Sequence, residues 1–76
     1  MRVYLGGHLA YYNHQKQTWF EQRLLVATPL AQVLEQAGVP AGEIMLAVVN
    51  DEVVDIKIKV VNDQDIVKIY PPYDGG

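Results

Sequence analysis

Apolar and polar positions alternate from the first residue. Met1, Val3 and Leu5 share one parity and Arg2 and Tyr4 the other, the period of a half-buried strand. Gly6-Gly7 ends that run. His8 to Gln17 reads as a polar, tyrosine-rich connection. Thr18 to Ala27, rich in β-branched and aromatic residues, predicts a second strand that pairs with the first as a hairpin. Trp19 and Phe20 are neighbours, so they point to opposite faces and one of them is at least partly exposed.

The period then changes. Leu30, Val33, Leu34 and Ala37 recur at i, i+3, i+4 and i+7, the apolar stripe of a helix that packs one face on a core. Thr28 suits the N-cap and Pro29 the first helical position. Gly38 suits the left-handed C-cap, and Pro40 bars continuation. Ile44 to Val49 predicts a central strand, Asn50-Asp51 a turn, and Val53-Val54 a short strand. Residues up to Val61 read as an edge strand or an irregular crossing, and Asn62 to Asp65 as a second turn. In the last strand, Ile66 to Tyr70, Val67 and Ile69 point one way and Ile66, Lys68 and Tyr70 the other. One amphipathic helix on one face of a mixed sheet of four to five strands makes a two-layer α+β domain. A helix that leads to a third strand parallel to the first would cross over right-handed.

Composition narrows the function classes. Half of the 76 residues are hydrophobic, enough for a core in a chain of one small domain. Without cysteine there is no disulfide, thiolate metal site or cysteine nucleophile, and the expected compartment is the cytoplasm. No apolar run approaches the ~20 residues of a membrane span. A net charge of −3 speaks against nucleic acid, which selects a basic stripe. His8 and His14 have no acidic or cysteine neighbours at ligand spacing, so no metal site is expected. The chain also has no P-loop and no visible nucleophile–base pair.

The residues after the last strand stand apart. Pro71 supplies no amide donor, so strand pairing should end there, and Pro71-Pro72 favours a stiff spacer. This divides the chain into a body, residues 1–70, and an extended tail, residues 71–76. Fully extended, Pro72 to Gly76 reaches roughly 16 Å. Glycine has no Cβ, so a partner's active site can close tightly on Gly75 and Gly76. Pro72, Tyr73, Asp74, Gly75 and Gly76 are thus the segment expected to enter a partner. On the helix-free face of the sheet, Val48, Lys68 and Tyr70, with Leu46 and Pro71 beside them, are candidate docking residues.

These features together resemble the ubiquitin-like β-grasp fold and, more narrowly, the sulfur carriers of the MoaD/ThiS kind. The resemblance rests on Gly7-His8-Leu9 after the first strand and on Val33 to Pro40 at the helix end. It continues through Val48-Val49-Asn50-Asp51 with Val54-Asp55, Asp63-Gln64-Asp65-Ile66-Val67, and Pro71-Pro72 through Gly75-Gly76. Asp51 and Gln64 stand where the family usually has glycine.

The resemblance implies a carrier that is itself no enzyme. A ubiquitin-activating-like adenylyltransferase would join AMP to the Gly76 carboxyl, with ATP and magnesium supplied at that partner and no cofactor bound by this chain. Sulfur would then displace AMP, and the thiocarboxylate would pass to a sulfur-accepting enzyme. The Pro-Pro pair looks most like the small subunit of molybdopterin synthase, whose large subunit would be that acceptor. A protein modifier joined through Gly76, or a structural or regulatory β-grasp subunit, are the alternatives.

Overall fold

The computed structural model describes residues 1–72, and the expectations for Tyr73 to Gly76 lie outside them. The strands are β1 (Arg2–Leu5), β2 (Trp19–Glu21), β3 (Thr28–Pro29), β4 (Leu46–Val49), β5 (Glu52–Val54), β6 (Val60–Val61) and β7 (Ile66–Tyr70), and the helix is α1 (Leu30–Gln36). Five of the strands form one mixed sheet in the order β2-β1-β7-β4-β5, and β3 and β6 form a small second ladder. The central pair, β1 and β7, is parallel, and the other neighbours in the large sheet are antiparallel.

Strand alternation builds the core. Val3 and Leu5 of β1, Val67 and Ile69 of β7, and Ala47 and Val49 of β4 all turn to the helix side and are buried. Leu30, Val33, Leu34 and Ala37 meet them with the helical stripe. Each large aliphatic side chain so buried stabilises the fold by about 1.5–3 kcal/mol.

The helix ends as its sequence predicts. Gly38 has φ +86°, its N–H bonds the Glu35 carbonyl, and the Val39 N–H bonds the Leu34 carbonyl, which together make a Schellman cap. A Cβ at Gly38 would also lie 2.8 Å from the Tyr12 carbonyl oxygen. The start of the helix differs from expectation. Thr28 is held in β3 opposite Val61, and its hydroxyl donates to the Val26 carbonyl, so it does not cap. Pro29 takes the cap position, and the Leu30 N–H finds the Lys59 carbonyl instead.

One further expectation is corrected, and two points that the sequence left open are settled. The second strand is only Trp19–Glu21, because the chain leaves the edge of β1 after Gln22 and has no partner for Leu25 and Val26, which are exposed. The strand that follows the helix, β4, is antiparallel to β7 and hence to β1. The strand parallel to β1 is the last one, β7. The connection after β1 is ordered: Gly7–Tyr12 is a 3-10 helix that buries Leu9, and the Asn13 side chain accepts bonds from the Gln15 and Gln17 amides. The Asn50-Asp51 turn takes left-handed φ at both residues, +50° and +70°, the type I′ geometry that suits a two-residue hairpin.

Candidate functional site

The residues on the outer parity of the sheet form its helix-free face. Register lines them up: Trp19 lies opposite Tyr4, Tyr4 opposite Lys68, Lys68 opposite Val48, and Val48 opposite Val53. One row thus crosses all five strands. Beside it, Tyr70 lies opposite Leu46, and on the other side Arg2 lies opposite both Glu21 and Ile66.

The aromatic rings in this face touch. Tyr4 meets Trp19 at a centroid distance of 5.2 Å and Tyr70 at 5.8 Å, both tilted, so a chain of three rings runs from the sheet edge to the end of β7. Tilted pairs of this kind contribute about 0.5–1.5 kcal/mol beyond their buried area. The Arg2 guanidinium lies over the Trp19 ring, 4.7 Å from its centroid. Trp19, Leu46, Val53 and Ile66 are exposed, and Tyr4, Val48, Lys68 and Tyr70 are half-buried. Exposed apolar surface that carries aromatics and the cations Arg2 and Lys68 has the character of a protein interface, where aromatics and arginine are enriched.

Of the residues expected to dock a partner, Leu46, Val48, Lys68 and Tyr70 lie together on this face. Pro71 does not belong with them. It is buried and continues the parity of Val67 and Ile69, not that of Lys68 and Tyr70. Tyr4, Trp19 and Arg2 were missed. The parity of β1 already sets Arg2 and Tyr4 opposite Val3 and Leu5, and that signal would have found them.

The rest of the surface offers little acid–base chemistry. The Asp63 carboxyl is held below its ordinary pKa of 3.8, first by the bond it accepts from the Leu24 amide and then by the Met1 ammonium 3.4 Å away. His8 Nε2 lies 3.3 Å from Glu43 and ties the first 3-10 helix to a second one, Ala41–Glu43. An apolar groove lined by Leu34, Val39, Pro40, Ile44 and Ile56 carries one ionisable group, Glu35, and so no acid–base pair. Among the described residues no group of three or more His, Cys, Asp or Glu side chains could hold a metal, and no helix is long and apolar enough to cross a membrane.

No curated protein matches the chain at a significant level. A family profile does match, over residues 3–74, and its description is Mut7-C ubiquitin. The match spans β1 through β7, the same body that the sheet order and single helix define as a ubiquitin-like β-grasp. The chain belongs to the Mut7-C ubiquitin family.

Proposed function

We infer that the protein is a ubiquitin-like sulfur carrier that works by presenting its C-terminal segment to partner enzymes. The observation that carries this reading is the placement of β7. It is the central strand, it brings Tyr70 to the helix-free face, and the Pro71-Pro72 pair follows directly. A partner that grips Tyr4, Trp19, Leu46, Val48 and Lys68 would therefore receive the segment through Gly76 next to its grip. An ATP-dependent adenylyltransferase would activate the Gly76 carboxylate. A free terminal carboxyl there would be ionised at neutral pH, since such groups have a pKa of about 3.5. Attack by hydrosulfide, delivered by a sulfur donor, on the acyl-adenylate carbonyl would form the C–S bond, release AMP and leave a thiocarboxylate. This would donate sulfur in cofactor biosynthesis, with a molybdopterin-type acceptor favoured by the Pro-Pro pair.

The reading requires a free carboxyl at Gly76, and the intact mass of the protein isolated from its source tests that first. Incubation with an adenylyltransferase of the ubiquitin-activating kind, ATP, magnesium and a sulfur donor should then exchange one oxygen for sulfur. A Gly76 that stays unmodified in that assay would refute the carrier reading.

A second reading is favoured by the aromatic face and needs no chemistry at Gly76. In it the protein is a docking module, and partners bind Trp19, Tyr4 and Tyr70 alone. Deleting Gly75 and Gly76 separates the two: the module keeps its function and the carrier loses it.

A further inference from the structure

Gly6 has a backbone that any residue adopts, φ −75° and ψ 160°, so its conformation does not explain why it is glycine. What lies over it does. Gly6 continues the parity of Arg2 and Tyr4, which faces the open side, yet it is buried. Its cover is the ring of Tyr70. A Cβ built at Gly6 would lie 3.0 Å from Tyr70 Cδ1, 3.1 Å from the Ile69 carbonyl oxygen and 3.4 Å from Tyr4 Cε2. The Ile69 oxygen cannot retreat, because it accepts the Gly6 amide at 2.8 Å and belongs to the β1–β7 ladder. The Tyr70 ring is the neighbour free to move, and it would have to give way while the oxygen contact stays tight.

We propose that Gly6 is a positioning residue: its bare Cα is the seat on which the Tyr70 ring lies, and this seat fixes the direction in which the chain leaves β7. Three contacts hold Tyr70 at that point. Its ring is on Gly6, the same ring is against Tyr4 at 5.8 Å, and its carbonyl receives the Met45 amide. Pro71 and Pro72 come next, with restricted φ, so an orientation set at Tyr70 is carried forward rather than lost in the following bonds. The use of this seat in aiming Gly75-Gly76 at a partner rests on the carrier reading above; the seat itself does not.

The test can be made on the full chain without any partner. The sequence has a single tryptophan and no cysteine. Gly76→Cys therefore gives one attachment point for an acceptor dye, and energy transfer from Trp19 reports where the chain goes after β7. Gly6→Ala should shift the transfer efficiency while the far-UV circular dichroism is kept. Tyr70→Leu, which adds no Cβ, should shift it too, and Tyr70→Phe, which keeps the ring, should restore the parent value. In the Tyr70→Leu background, Gly6→Ala should shift the transfer less than in the parent, because the Tyr70 ring is gone and only the Ile69 carbonyl and Tyr4 contacts remain. A Gly6 Hα proton resonance shifted upfield by the ring, and moved back by Tyr70→Leu, is the matching signature at the seat.

Unchanged transfer in folded Gly6→Ala overturns the proposal. Should Gly6→Ala not fold, unchanged transfer in Tyr70→Leu overturns it equally. With an activating enzyme in hand, Gly6→Ala should raise KM for loading several-fold and leave kcat near the parent value. A parent chain that is never loaded would end the carrier reading and leave the energy-transfer result standing.

Discussion

The two faces of the central sheet are made by the same strands, yet they differ in kind. On the helix side, Val3, Leu5, Val67, Ile69, Ala47 and Val49 are aliphatic and at most 3 % exposed. One residue along in each strand, Arg2, Tyr4, Lys68, Tyr70 and Val48 face outward with Trp19 beside them, half-buried or exposed. An aliphatic face closed by a helix stabilises the fold through buried area. An aromatic face with cations and, among the described residues, no covering element stabilises it far less and is suited to contact another molecule. A closed face and an open one are therefore separated by a single step in strand parity.

Substitutions on the two faces measure that separation. Leu5→Ala should cost the most, about 2–5 kcal/mol in urea unfolding, because the cavity lies where sheet and helix meet. Gly38→Ala should cost about 1–3 kcal/mol, from the left-handed φ and the approach of the Tyr12 carbonyl. Trp19→Ala on the open face should cost only about 0.5–1.5 kcal/mol, the worth of its contacts with Tyr4 and Arg2. Should Trp19→Ala rival Leu5→Ala, the open face would be part of the core and the contrast would fail. Lys68→Ala should stay within about 0.5 kcal/mol in unfolding while weakening partner binding.

The smallest effect is one of pH and belongs to neither face. Asp63 has a lowered pKa in the folded chain, so its bond to the Leu24 amide favours folding above the ordinary carboxylate value of 3.8. That contribution is lost as pH falls through the lower folded value. The difference in melting temperature between the parent and Asp63→Asn should be present at neutral pH and vanish in strong acid. A difference that grows on acidification would reverse the assignment.

Much of this was legible in the chain where the pattern and the partner agree. The β1 and β7 alternations, the α1 stripe and the Gly38 stop all describe residues whose neighbours are fixed by a local period. Where the partner decides, the sequence misled. Leu25 and Val26 have strand propensity but no strand to pair with, and Thr28 gives its backbone to Val61 before it can cap the helix. The candidate face was half legible for the same reason. Leu46, Val48, Lys68 and Tyr70 follow from the strands on either side of one hairpin and its return. Placing Trp19 beside Tyr4 required the β1–β2 register, which is set across a connection whose 3-10 helix has no strong local signal. Pro71 was misplaced because its missing N–H says where pairing stops, not whether the ring is covered.

The parallel pairing of β1 with β7 has a consequence during synthesis. Arg2 meets Ile66, so the middle of the sheet joins two strands that lie far apart in the sequence. A nascent chain still inside the ribosome beyond β5 has its first hairpin and its helix but nothing to insert between β1 and β4. Contacts of such long range slow folding and leave apolar strand edges open to aggregation. Translation must bring out β7 before the sheet can close, because that strand sits between β1 and β4.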